Sequence, residues 1–246
     1  MWPGTIMVKW LSMPSSRPSS TAKRKAAAKK APNERRAFST PLVISVGNKD
    51  QVVIPGAQCV YSYDPDSGKE LWRVTYTGFS NVPRPVFGRG LVFIATGFQQ
   101  PTLIAVRPDG RGDVTRTHIA WTLTRGAPFT PSPLVAGDEL YVISDSGILS
   151  VLDAVSGRLH YQQRLGGNFS ASPVLADGRL YFLSEEGVTT VVAPGTTFNR
   201  LAVNRLDAVA LASMAVVDGA IVVRSQSHLY RLGASSSPSR RSKLLF

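Results

Sequence analysis

A four-strand pattern that recurs every 40 to 48 residues constrains this chain more than any other feature. Its clearest copy is residues 129–161, FTPSPLVAGDELYVISDSGILSVLDAVSGRLHY. Leu134-Val135 lead to a Gly137-Asp138 turn, and residues 140–143 then alternate toward one buried face. Asp145-Ser146-Gly147 separates these from 148–152, and Ser156-Gly157 precedes 159–161. Gly and Asp at each break supply the positive φ of tight hairpins. A lone meander of this size leaves an apolar face uncovered, so it must stack on copies of itself.

The copies align on a Ser/Thr-Pro element: Thr40-Pro41, Arg84-Pro85, Ser132-Pro133, Ser172-Pro173 and a degenerate Met214-Ala215, spaced 44, 48, 40 and 42 residues apart. Phe79, Phe129, Phe169 and Leu211 recur upstream in phase. This is the period of a four-stranded propeller blade. No window carries a sustained helical stripe, so a helical solenoid is excluded. The sequence predicts an all-β propeller of four-stranded antiparallel blades, with about five visible, over residues 38–234. The blades fall near 38–75, 79–126 (with an insertion at 107–117), 129–161, 169–208 and 211–233. The last has only three strands. Its outer strand is expected from before Phe38, where there is only a basic leader, so the propeller reads as incomplete or open. Missing blades are then supplied by an upstream region or another chain.

Charge is unevenly placed. The 246 residues carry a net +12, but residues 1–37 hold nine Lys/Arg against Glu34, and residues 235–246 add Arg240, Arg241 and Lys243. The repeat region is close to neutral. Both tails read as disordered. The leader is the one segment suited to phosphate contacts with nucleic acid or an anionic membrane; a solvated tail is the plainer reading. Pro3, Gly4 and Lys9 interrupt its apolar start, which argues against a secretory signal. No apolar run approaches the ~20 residues of a membrane helix. Cys59, the single cysteine, permits no internal disulfide.

The run Asp64-x-x-Ser67-Gly68-Lys69-Glu70-x-Trp72 resembles the tryptophan-docking repeat of propellers of the pyrroloquinoline-quinone (PQQ) type. These include quinoprotein alcohol dehydrogenases and the periplasmic BamB-type propellers of outer-membrane-protein assembly. The stretch from Gly78 to Gly187 likewise resembles PQQ-binding-like repeat proteins. Asp64, Gly68 and Trp72, and their counterparts Asp153, Gly157 and Tyr161, are the expected structural docking motif. The turn residues fix the hairpin and the ring packs on the neighbouring blade. The resemblance implies a periplasmic or envelope location. Its enzymes use adjacent cysteines and calcium-ligating residues; a single Cys59 does not supply the first. Neither PQQ nor calcium is therefore expected.

No catalytic or metal-binding residue is expected. His118, His160 and His228 lack ligand spacing, and no nucleophile elbow, P-loop or dinucleotide fingerprint occurs. Arg111-Gly112-Asp113 reads as a turn. The candidate ligand-binding residues lie where the innermost strands begin, at the channel face: Asn81, Arg84, Thr130, Ser132, Asn168, Ser170 and Ser172. Such hydroxyls, amides and a guanidinium grip anionic or carbonyl-rich ligands. Equally, Ser and Thr before Pro satisfy local backbone donors without a ligand. The expected function is a non-catalytic scaffold that binds an unidentified protein partner in the bacterial envelope; the alternative is a PQQ-dependent oxidoreductase or a fragment of one.

Overall fold

A computed structural model of the chain describes residues 5–9, 36–98 and 100–233, with 5–9 described by their backbone pairing. Every regular element in them is a strand. In chain order these are β1 (Thr5–Lys9), β2 (Leu42–Val46), β3 (Lys49–Pro55), β4 (Cys59–Tyr63), β5 (Glu70–Thr75), β6 (Val86–Gly88), β7 (Leu91–Ala95), β8 (Leu103–Val106), β9 (Gly112–Asp113) and β10 (Ile119–Leu123). There follow β11 (Leu134–Ala136), β12 (Glu139–Ile143), β13 (Ile148–Asp153), β14 (Leu159–Arg164), β15 (Val174–Ala176), β16 (Arg179–Leu183), β17 (Val188–Val192), β18 (Arg200–Arg205), β19 (Ala215–Val217), β20 (Ala220–Arg224) and β21 (His228–Gly233).

They form five sheets, each a blade of four antiparallel strands with β2, β6, β11, β15 or β19 innermost: β2 to β5 (with β9 added at its outer edge), β6-β7-β8-β10, β11 to β14, β15 to β18, and β19-β20-β21-β1. The all-β propeller reading holds. Middle strands such as β7, buried at every position, are covered on both faces by neighbouring blades. Inner strands stop at three to five residues.

Two expectations are corrected. Within the leader read as disordered, Thr5–Lys9 forms a strand, and it pairs antiparallel with β21 (Thr5↔Leu232 to Lys9↔His228). Blade five therefore has its fourth, outer strand, and that strand does arrive from before Phe38. The rest of 1–35 and the tail 234–246 lie outside the described residues. The segment 107–117 is no simple insertion either: Gly112–Asp113 pairs parallel with β5 of blade one, Trp72 opposite Gly112. Arg111-Gly112-Asp113 thus contributes to a sheet instead of an ordinary turn.

Four apolar cores join the blades in sequence. Trp72, Val60 and Val74 meet Val92, Ile94 and Val106 between blades one and two. Phe93 and Leu103 meet Leu140 and Leu152 at the next boundary. Tyr141 and Leu149 meet Phe182 and Val192 after that, and Tyr181 and Leu183 meet Val223 and Tyr230 at the last. Among the described residues no core joins blade five to blade one. The array is open, as expected.

Candidate functional site: the inner groove

In blades one to four the inner strand follows a proline that ends one blade's approach and starts the next. Pro85, Pro133 and Pro173 are buried; with no N–H to donate and φ fixed, they turn the chain onto the axis without leaving an orphan donor. Around the axis these elements enclose an open groove of about 580 Å³. Its lining runs through blades one to four, chiefly Leu42, Val43, Val86, Phe87, Leu134 and Val135 with the prolines. Phe87 is 37% exposed and Val43 63% exposed. Among the described lining residues Arg84 supplies the one charged side chain.

The structure brings together three of the seven candidate ligand residues: Arg84, Ser132 and Ser172. Two of these are occupied by the fold. The Arg84 backbone N–H donates to Ser132 Oγ at 2.9 Å, that of Ser132 to Ser172 Oγ at 3.0 Å, and that of Ser172 to Ser213 Oγ at 2.9 Å. Each hydroxyl thereby accepts from the preceding blade and fixes the angle between inner strands. Ser39 Oγ makes the reciprocal kind of link, donating to the Pro83 carbonyl at 2.7 Å.

The other four candidates lie elsewhere. Asn81 is fully buried beneath blade two, its Nδ2 donating to the Tyr76 hydroxyl at 2.6 Å and more weakly to the Gly56 carbonyl. Burial raises the Tyr76 phenol well above its usual range. Ser170 donates to the Glu185 carboxylate, and the Asn168 N–H to Glu186 Oε1 at 3.2 Å. A hydrogen bond from Ser184 is the main cause holding the Glu186 carboxyl below the ordinary range. Thr130 does not line the groove. Sequence reasoning missed the apolar lining; its signal was the pair of residues after each proline, read only as strand starts.

The docking motif residues sit at the outer strands. Asp64 Oδ1 accepts from the N–H of Asp66 and Ser67 and from Ser67 Oγ; Asp153 Oδ1 does the same for Ser156. Trp72 is fully buried, its Nε1 donating to Gln51 Oε1 at 2.8 Å. Tyr161 packs edge-on to Phe198 of blade four. Cys59 is buried on β4, where desolvation pushes its thiol up. Among the described residues no three His, Cys, Asp or Glu side chains gather into a metal-binding group, and no helix is long and apolar enough to cross a membrane.

A family model described as "Outer membrane protein assembly factor BamB" matches residues 56–201, more than half of the chain. The chain belongs to the BamB-type family of PQQ-like β-propellers. Its fold is similar to the crystal structure of BamB from Moraxella catarrhalis, with a TM-score of 0.60 at 16% identity. That match covers 77% of this chain and 55% of the other, so the chain spans about half the length of this solved relative. Comparison with curated proteins finds no match.

Proposed function

We propose that this BamB-type propeller is a non-catalytic protein-binding scaffold of the bacterial envelope, working in outer-membrane-protein assembly as its family's description names. The observation that carries the reading is the chemistry of the inner groove. Its hydroxyls are committed between blades, and what it presents is apolar side chains beside one guanidinium. Short inner strands form one edge of every sheet, and such edges accept an extended segment through main-chain hydrogen bonds while pockets take alternate side chains. The fitting partner is an extended segment of alternating apolar and polar residues with an acidic group for Arg84.

A quinone fits poorly. Apart from the guanidinium of Arg84 and the hydroxyls of Ser132 and Ser172, the described lining is apolar, with no side-chain amide and no carboxylate for calcium. These points support the scaffold reading over the oxidoreductase. The test is fluorescence anisotropy with labelled ten-residue peptides copied from outer-membrane β-strands. Saturable binding, weakened at least tenfold by the double variant Phe87→Asp, Val135→Asp, is the expected result. Absence of peptide binding, or stoichiometric PQQ uptake with calcium and a quinone absorption band, would overturn it.

A further inference from the structure

We propose that the chain associates head to tail, the uncovered face of blade one seating the uncovered face of blade five from a second copy. Every blade has one face toward the preceding blade and one toward the next. On the middle strands, the residues facing backward are buried in blades two to five: Val92 and Ile94, Leu140 and Val142, Leu180 and Phe182, Ile221 and Val223, none more than 6% exposed. Their blade-one counterparts, Val52 and Ile54, are only partly buried. Beside them on β4 the rings of Tyr61 and Tyr63 stack with centroids 6.0 Å apart, also partly exposed. At the opposite end Val217 is 49% exposed, with Val222 and Leu229 half-buried, and the exposed Arg231 and Arg224 share this face as their cross-strand partners.

Two further features mark these as the two halves of one joint. The hydroxyl ladder of the inner strands stops at Ser213, whose N–H meets no acceptor among the described residues. At the other end Thr40, the blade-one residue in the same column, has a hydroxyl that accepts from no backbone N–H there. A donor on blade five and an acceptor on blade one, each without a partner of this kind among the described residues, are what the next rung requires. The docking turns agree. A Cβ at Gly157 would lie 2.6 Å from the Trp121 ring of the preceding blade, whereas a Cβ at Gly68 meets nothing within 4 Å. Blade one carries a built seat with nothing described on it.

The occupant follows from continuity with the four interfaces already present. A blade of the same hand offers side chains at strand spacing together with an inner N–H, and blade five of a second copy offers both. Its outer strand is in place too, with Ile6 opposite Arg231 in the register that sets Trp72 opposite Ser62. Such a contact is heterologous: two different surfaces meet, so copies add in one direction into a ring or an open chain.

Sedimentation velocity on the full chain tests this, with variants on each face. The wild type is expected to sediment above monomer size and to grow with concentration. Val52→Lys or Tyr61→Glu on blade one, and Val217→Lys on blade five, should each give monomers with an unchanged far-ultraviolet circular dichroism spectrum. An equimolar mixture of Val52→Lys and Val217→Lys should recover a one-to-one dimer, because each retains the face the other lacks. Thr40→Cys, Ser213→Cys should form disulfide-linked multimers under oxidation. A wild type monomeric throughout, a mixture that stays monomeric, or a disulfide that closes within one chain would each overturn the proposal.

Discussion

The indole of Trp121 donates from Nε1 to the Ala154 carbonyl, 3.1 Å away across the boundary between blades two and three. The ring lies on the next blade's turn, over Gly157, which holds φ at +72°. Glycine serves here for two separable reasons, the left-handed backbone and the absence of a Cβ beneath the ring. Gly157→Ala is expected to cost about 1–2 kcal/mol for the backbone alone, with a further loss from the displaced indole. Gly68→Ala, at φ +68° in open space, incurs only the first cost. Urea denaturation of both should place Gly157→Ala clearly lower; equal midpoints would mean the ring contact contributes nothing.

Trp72 does comparable work from inside its own blade. Its ring fills the first inter-blade core, and its Nε1 and the Ser62 hydroxyl share Gln51 Oε1 as acceptor. Gln51 in turn donates to the Pro108 carbonyl of blade two. Trp72→Ala should cost about 3–5 kcal/mol. Trp72→Phe keeps much of the volume but removes one donor from a buried network, so its cost should lie between wild type and Trp72→Ala. Thermal melts of the three proteins check the order.

The hydroxyl ladder predicts a graded series. Ser172→Ala strands the Ser132 N–H in a partly buried position, and about 1 kcal/mol of stability should be lost. Ser213→Ala affects an exposed N–H that water can satisfy, so its cost should be smaller. Denaturant midpoints of the single variants, with an unchanged m value, measure this. If Ser172→Ala melts with the wild type, the ladder does not set the blade angle.

The repeat was legible because propeller blades declare themselves twice, in strand alternation and in Gly/Asp turns. Aligning on the Ser/Thr-Pro element puts the last blade one residue out of phase: the position equivalent to Ser132 is Ser213, not Met214, and buried Ala210, not exposed Leu211, takes the place of Phe169. Met214 occupies the slot of a proline that blade five lacks, which hides the true phase. Asn81, not Phe79, stands three residues before Arg84 as Phe129 does before Ser132, a shift concealed by the irregular Ser80, at φ +57°. The strand at Thr5–Lys9 carries no turn signal and pairs across more than 200 residues of sequence, so local pattern could not place it. The candidate site was legible in position but not in role. Sequence marks where Ser132 and Ser172 sit, while only geometry shows the backbone donors that use them.

Acid should loosen the docking turns. Hydrogen bonds from Ser67 hold the Asp64 carboxyl below its ordinary value, and those from Ser156 do the same for Asp153. In the unfolded chain both protonate near the ordinary value of about 3.9. Their contribution is thus complete above that value and is lost as pH falls through the depressed folded values. Melting temperature should decline from about pH 4 downward. Asp64→Asn, Asp153→Asn keeps both acceptors without the titration, so its decline over that window should be shallower. Parallel slopes would assign the acid sensitivity to other carboxylates.

Tyr161 stands where the docking motif carries tryptophan, and its hydroxyl is buried without a hydrogen-bond partner among the described residues. Desolvation pushes its phenol up to about 12. An unpaired buried hydroxyl is a cost with no return, so Tyr161→Phe should stabilise the protein by about 1 kcal/mol while keeping the edge-on contact with Phe198. The alkaline limb gives an independent readout. With a folded value above the unfolded one, the wild type loses stability as pH rises from about 10 toward 12, and Tyr161→Phe should lose less over that interval. Destabilisation at neutral pH would instead mean that the hydroxyl is satisfied in solution and that this position tolerates tyrosine for its polarity, not merely its shape.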